Sequence, residues 1–394
     1  MLHSILLIAC LFTAQAAPSS VQSRLGALTA EYHAISGQLK PHIANDWWID
    51  DQPGTPALLA KQWSLTGEWL AAWLNLHSNA AADEAKAALR NLAGADAPEP
   101  ECLKLADGVF LASAPNLLGN VFIVARSQGQ YRLAWSIAEK QQVQGKAAET
   151  LAAWRPENAR EGGRGPYWAA SGRAGTVAPA LGVLSADSRS EPRFYVNGIY
   201  NQMAGATVGA QVTLWLWDGT TARPLLAREY ALMIDQERGA RVEGDLLKVE
   251  EKKSFRAFFS CGSCEERQTE WSAHITADGI QDLGEKSLVP ELDAVDELFY
   301  RVIHRQDTNK IAAPQARKRA AAIVEGARAG HSRKDWKEFP TLGMMGSWKM
   351  FTQAGAKVLC FYADDAGANL FTLKSSRGRI FITHIAQTEG ECEK

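Results

Sequence analysis

The feature that most constrains this chain is a stretch from 192 to 275 in which apolar and polar positions alternate. Its clearest part is the run TVGAQVTLWLWDG, from Thr207 to Gly219, where every second side chain falls on the same side of an extended backbone. Gly219 ends the run, because glycine adopts the positive φ that a tight turn needs. The segment from Arg193 to Tyr200 alternates in the same way. It is predicted to be the antiparallel neighbour of the first run.

A second hairpin is predicted from the segments Ser254 to Cys261 and Thr269 to Ile275. In the second of these, the odd-numbered positions are apolar or small and are predicted to face inward. Glu270 lies on the other side of that strand and is predicted to face water. Together, these patterns predict a central antiparallel β domain.

Two of the six cysteines, Cys261 and Cys264, have the C-x-x-C spacing of redox motifs. A strand precedes them and two glutamates follow, whereas a reactive thiolate is usually placed at a helix N-terminus. Zinc would need two further ligands, and the sequence has no second C-x-x-C pair. We therefore expect a structural disulfide at the end of the predicted hairpin. A second bridge is predicted between Cys360 and Cys392, which would leave Cys102 unpaired.

Length and composition predict a folded protein with more than one domain. The chain has 394 residues, of which 46% are hydrophobic and 22% charged, which exceeds the size of one ordinary core. Lys and Arg number 42 against 44 Asp and Glu, giving a net charge of -2. Nucleic acid is therefore not expected as a partner, since phosphate binding requires an excess of positive charge.

Changes in hydrophobic period divide the chain and predict a multidomain fold of mixed α and β structure. Apolar residues recur every three or four positions near the N-terminus, which is typical of helices, and every two positions in the middle. The segments 108–138, 175–230 and 245–283 could each form one blade of three or four strands. The predicted regions are a signal peptide at 1–16, a helical region at 17–98, an antiparallel β domain (sandwich, barrel or propeller-like) at 99–287, and an α+β region at 288–394.

The N-terminus predicts export. An apolar run from Ile5 to Phe12 is followed by Ala14 and Ala16, the small residues that signal peptidase requires. The protein is therefore expected to be periplasmic or secreted. A lipoprotein attached through Cys10 is an alternative, because the preceding residues resemble a bacterial lipobox. No later segment has enough consecutive apolar residues to predict a transmembrane span.

Two aromatic stretches are candidate ligand sites. Paired indoles beside carboxylates can stack on a sugar ring and bind its hydroxyls, but such a pair can also close the end of a helical bundle. An aromatic pair after a glycine-rich loop could cover a cleft, or it could belong to a plain linker. The candidate residues are Trp47, Trp48, Asp50 and Asp51 in the first stretch, and Tyr167 and Trp168 in the second.

A run of basic residues in the C-terminal region is a candidate surface for an anionic partner, such as an acidic protein or lipid headgroups. The alternative is a solvated helix face without a partner. The residues are Arg317, Lys318, Arg319, Arg328, Arg333, Lys334 and Lys337.

The leading functional hypothesis is a non-enzymatic binding or interaction module of the bacterial envelope, such as an inhibitor, an immunity-type partner or an assembly factor. It rests on predicted export, on β-rich modules that offer loops and edges, and on the absence of a standard catalytic motif from the sequence. The partner is expected to be another envelope protein or a cell-wall glycan, and neither cofactor nor metal is expected. The alternative is an exported hydrolase of cell-wall or carbohydrate substrates, with acids such as Asp50 and Asp51 near the indoles.

Overall fold

The structure is a computed structural model that describes residues 18–44, 48–49, 54–95, 97, 99–114, 120–137, 181–184, 191–204, 207–233, 239–259, 267–276, 279–338, 340–364, 367–376, 378–388 and 392. Within these residues, helices form both ends of a mixed α and β architecture, and antiparallel sheets form its centre. This confirms the predicted fold class. In the described part of the chain, no helix combines the length and apolar character needed to cross a bilayer.

Three helices form the N-terminal layer: α1 (Pro18–Leu39), α2 (Thr55–Leu76) and α3 (Ala82–Ala93). Between α1 and α2 lies a short hairpin of β1 (Ile43–Ala44) and β2 (Trp48–Ile49).

The first two helices pack antiparallel, because each carries an apolar stripe that faces the other. The contact is fixed by a hydrogen bond of 2.9 Å from the indole Nε1 of Trp69 to the hydroxyl of Thr29. The third helix ends where Gly94 takes a positive φ of 93°, as expected of a helix C-terminus.

Three successive four-stranded antiparallel meanders follow. Short turns connect most neighbouring strands, so the strand order in each sheet follows the chain. Sheet 1 consists of β3 (Cys102–Ala106), β4 (Val109–Ser113), β5 (Val121–Ser127) and β6 (Gln130–Ser136). Sheet 2 consists of β7 (Leu181–Leu184), β8 (Arg193–Ala204), β9 (Thr207–Trp217) and β10 (Ala222–Met233). Sheet 3 consists of β11 (Ala240–Glu243), β12 (Leu246–Lys253), β14 (Arg267–Thr276) and β15 (Gly279–Ser287), with the short strand β13 (Phe258–Phe259) lying outside it.

These sheets pack face to face, with sheet 2 in the middle. On β9, Val212 and Leu214 belong to the core shared with sheet 3, while Trp215 and Trp217 belong to the core shared with sheet 1. The other face of sheet 1 is covered by the N-terminal helices. The run that alternates most clearly is therefore buried on both sides. Each of the described sheets is open, so the arrangement is a stack of blades and not a closed barrel.

The C-terminal region combines α4 (Pro290–Ile303), α5 (Pro314–Gly330) and α6 (Arg333–Glu338) with sheet 4. This sheet has the strand order β13, β16 (Leu342–Gln353), β17 (Ala356–Ala363), β18 (Gly367–Ser376), β19 (Arg379–Gln387). Two helices begin at prolines, Pro290 and Pro314. Proline is favoured at a helix start because the N–H group that it lacks would have no hydrogen-bond partner within the helix there. Phe299 of α4 packs edge-on against Phe258 and Phe371 and so joins helix and sheet.

The predicted second hairpin is wrong. Instead of pairing with β14, the strand β13 pairs in parallel with β16, and β14 lies between β12 and β15. Phe258 is buried among aromatic rings of the C-terminal region, and the buried carboxylate of Asp296 accepts hydrogen bonds from the backbone N–H groups of Arg256 and Ala257. Apolar alternation indicates a strand but does not identify its partner, which packing on α4 decides here.

Candidate functional site

The residues predicted as ligand contacts lie almost entirely outside the described part of the chain. Only Trp48 is described, by its backbone, as the residue of β2 that pairs with Ala44. The candidate residues therefore stay predictions. Outside the described residues lie Trp47, Asp50, Asp51, Tyr167, Trp168, Cys261 and Cys264.

A disulfide joins Cys360, in the middle of sheet 4, to Cys392 near the end of the chain. The sulfur atoms are 2.12 Å apart and the Cα atoms 5.6 Å apart. Cys102 is a free, buried thiol on β3. Burial, followed by the nearby carboxylates of Glu101 and Asp83, raises the pKa of Cys102 to about 12. This thiol therefore stays protonated and is a poor nucleophile at neutral pH.

A cleft of about 1130 Å³ lies between the helical layer and sheet 1. We call it the junction cleft. Its walls are α1, α2 and the β5–β6 hairpin, and its floor is apolar, formed by Ala71, Ala72, Leu76 and Leu133. Gly67 makes this approach of helix and strand possible, since a Cβ atom there would lie 2.7 Å from a methyl carbon of Leu133.

Asn75 holds the two walls of the junction cleft together. Its amide Nδ2 donates to the carbonyl oxygen of Tyr131 at 3.0 Å, and its Oδ1 accepts from the N–H of Tyr131 at 2.8 Å. Tyr131 lies on β6, the edge strand of sheet 1, so these backbone groups would otherwise lack a strand partner. One side chain of α2 thus satisfies the strand edge and fixes the width of the cleft.

The rim of the junction cleft is charged. Arg24 of α1 lies 3.6 Å from the carboxylate of Glu68 on α2, and both side chains are largely exposed. Arg132 of β6 is also exposed, and no carboxylate among the described side chains lies within ion-pair distance of it. The rim therefore offers one paired and one open cation around an apolar floor.

A smaller cleft of about 740 Å³ lies on the other side of the β5–β6 turn, where it shares Gly129 and Tyr131 with the junction cleft. Lys104 and Asp107 form an exposed ion pair of 2.6 Å at its edge. The guanidinium of Arg126 lies 5.9 Å from the centre of the Tyr131 ring, within the range of a cation–π contact. The tip of the β5–β6 hairpin is thus flanked by one cleft on each side.

A third depression of about 460 Å³ runs between the three N-terminal helices, and we call it the indole groove. Trp69 and Trp73 line it from α2, and the ring of Trp73 stacks on His77 at a centroid distance of 4.3 Å. Glu84 lies at its edge, where its carboxylate accepts the N–H of Ala81 at 2.7 Å and so caps α3. Aromatic faces with few polar groups suit a ligand that has both apolar and hydroxyl surfaces.

The described side chains include no group of three or more His, Cys, Asp or Glu that could hold a metal ion. In comparisons with known proteins, no family model matches the chain and no curated protein matches it significantly. The chemistry of the site is therefore inferred from its own geometry.

Sequence reasoning missed the residues of the junction cleft. Arg24, Glu68, Asn75 and Arg132 are far apart in the chain and form no motif. One local signal existed: Asn75 interrupts the apolar end of α2 between Leu74 and Leu76. A half-buried amide in such a position often has a tertiary hydrogen-bond partner, but the sequence does not say that the partner is the edge of a sheet.

Proposed function

We propose that the chain is an exported, non-enzymatic binding module of the bacterial envelope and that its partner is another envelope protein. The N-terminal leader pattern supports export, and a disulfide such as that between Cys360 and Cys392 persists in oxidising compartments. The observation that carries the proposal is the junction cleft.

Its anatomy supports a protein partner. Protein interfaces have an apolar centre surrounded by a polar rim, and the cleft has an apolar floor below the rim of Arg24, Glu68 and Arg132. A partner segment would cover Leu76 and Leu133 and place a carboxylate against the open guanidinium of Arg132. The Asn75 contacts keep the cleft formed before binding, which reduces the ordering that association requires.

The test is recovery of a partner from envelope extract with the mature protein as bait. Wild type should retain a discrete protein. Leu76→Glu, which places a charge on the apolar floor, and Arg132→Glu, which reverses the open cation, should each lose it. Lys40→Glu changes an exposed cation elsewhere by the same two units of charge and should retain the partner. Retention by both cleft variants would contradict the proposal. Recovery of no partner together with turnover of a glycan would favour the hydrolase alternative.

A cell-wall glycan is the second candidate partner, and the indole groove favours it. Sugar rings stack on aromatic faces, and Trp73 has its ring partly exposed in this groove. Co-sedimentation with purified peptidoglycan should then be weakened by Trp73→Ala. It should not be weakened by Phe351→Ala, which removes a partly exposed aromatic ring in the C-terminal region. Equal sedimentation of both variants would exclude the groove as the binding site.

A further inference from the structure

A basic surface surrounds α5, away from the clefts of the helical layer. Two of its residues lie in the connection between α4 and α5, two on α5 itself and two on α6. All six side chains are exposed. The basic surface consists of Arg305, Lys310, Lys318, Arg328, Lys334 and Lys337.

Nearby acids do not neutralise this surface. The exposed carboxylates described between 304 and 337 are Asp307, which accepts the N–H of Asn309 at 2.9 Å, and Glu325, which lies 3.8 Å from Arg328. Over the segment 304–338 the sequence has nine Lys and Arg against four Asp and Glu, an excess of five positive charges, whereas the whole chain carries -2. Arg328 is thus the one member of the basic surface with a carboxylate partner among the described side chains. For its other five cations, no described carboxylate lies within ion-pair distance.

The surface is extended and shallow. The buried side of α5 fixes the helix against the core of the C-terminal region through small and branched apolar residues. Its outer side presents Ala321, Ala322 and Gly326, whose small side chains leave a low surface between the cations. Lys318 and Arg328 are ten residues apart on α5, so they are separated by about 15 Å along the helix axis. This spread exceeds what one small anion can contact.

We propose that the basic surface docks the protein on the anionic face of a phospholipid bilayer. A bilayer presents its phosphates in a plane. Such an array suits cations that are spread over a low helix face better than a small ligand held in a pocket would. Each Lys or Arg near an anionic leaflet strengthens binding by about fivefold, and the effect decays within a Debye length. Docking through this surface would leave the junction cleft, on the N-terminal layer, free for a partner.

The test is sedimentation of the full mature chain with vesicles of phosphatidylcholine alone or mixed with phosphatidylglycerol. Binding should require phosphatidylglycerol and should weaken as salt is raised from about 0.1 M to about 1 M, where the Debye length falls to about 3 Å. The triple variant Lys318→Gln/Lys334→Gln/Lys337→Gln should bind about 100-fold more weakly. Replacing the same lysines with arginine should preserve binding.

A second triple variant, Lys40→Gln/Lys61→Gln/Arg223→Gln, removes three exposed cations elsewhere and should bind as wild type does. Equal binding by the two triple variants would overturn the proposal, because net charge would then explain the effect. Equal binding to neutral vesicles would also overturn it. Binding to polyglutamate but not to vesicles would assign the surface to an acidic protein instead. Melting temperatures of all variants, none of which is expected to fall substantially, show whether a loss of binding reflects unfolding.

Discussion

Two charged regions of this protein differ in whether their charged side chains form ion pairs. On sheet 3, Arg241 contacts the carboxylates of Glu243, Glu250 and Glu270, and Glu270 also binds Lys286 at 2.7 Å. We call this set the paired network. On the basic surface, most cations have no described carboxylate partner. The paired network uses its charges to connect neighbouring strands, whereas the basic surface leaves them available to a ligand.

Burial explains part of the difference. The side chain of Glu270 is only 4% exposed, and a buried charge without a partner is strongly unfavourable. Burial alone would raise the pKa of Glu270, but Lys286 and Arg241 outweigh it and hold the pKa below its usual value. The lysines of the basic surface stay hydrated and need no partner. A charge network near the core therefore affects stability, and an exposed one affects binding.

The largest expected effect is the loss of Glu270. Glu270→Ala should lower the free energy of unfolding by about 3 kcal/mol, because it leaves Arg241 and Lys286 beside an empty buried position. Glu325→Ala on α5 is the matched control and should change it by no more than about 0.5 kcal/mol, since Glu325 is 71% exposed. Urea denaturation measures both. Similar values for the two variants would remove the distinction between the regions.

Removing one cation from each region should give a smaller but still unequal effect. Arg241→Gln should lower the free energy of unfolding by about 2 kcal/mol, since three carboxylates lose a shared partner. Lys318→Gln makes the same change in net charge and should change it by less than about 0.5 kcal/mol. Thermal melting at neutral pH provides the comparison. A Lys318 variant as destabilised as the Arg241 variant would show that the basic surface is also structural.

Acid should weaken the paired network selectively. Hydrogen bonds from Lys248 and Arg241 lower the pKa of Glu243 from 4.5 to about 2. A carboxylate whose pKa is lower in the folded state stabilises the fold above its unfolded pKa and loses that contribution as pH falls through the folded value. The melting temperature should therefore fall between pH 4.5 and about 2. The fall should be shallower in Glu243→Gln, and an unchanged slope would count against a role for this carboxylate.

The smallest expected effect is a gain in stability on the basic surface. Lys334→Gln/Lys337→Gln should stabilise the protein by a few tenths of a kcal/mol at low salt, because repulsion between like charges is relieved. The gain should vanish at high salt, where exposed charges are screened. Melting curves at two ionic strengths test this. A loss of stability would indicate partners for these lysines that the described contacts do not include.

Sequence patterns correctly predicted those structural features whose physical cause lies within a few residues. The alternation of β9 predicts a strand and its pairing with β8, and Gly94, Pro290 and Pro314 mark helix ends and starts through their own backbone preferences. The inward side of β14 follows from its alternation, since Trp271 and Ala273 are buried. These features depend on neighbours within a few positions, which the sequence contains directly.

Contacts between distant segments were decided only by the tertiary structure. Glu270 was predicted to face water, but Arg241 and Lys286 from other strands of sheet 3 cover it. The segment around β13 alternates in apolar and polar residues, as an arm of a hairpin does. It nevertheless joins sheet 4, because the ring of Phe258 packs against Phe299 of α4. The junction cleft likewise forms only when α1, α2 and the β5–β6 hairpin, which are distant in the sequence, lie side by side.

The sequence by itself therefore determined the class of fold and most of the strands. Which strands share a sheet, which charges are paired and where a cleft opens depend on free energies of burial and ion pairing between segments far apart in the chain. Such energies exist only once the segments are in contact, so only the folded structure decides them.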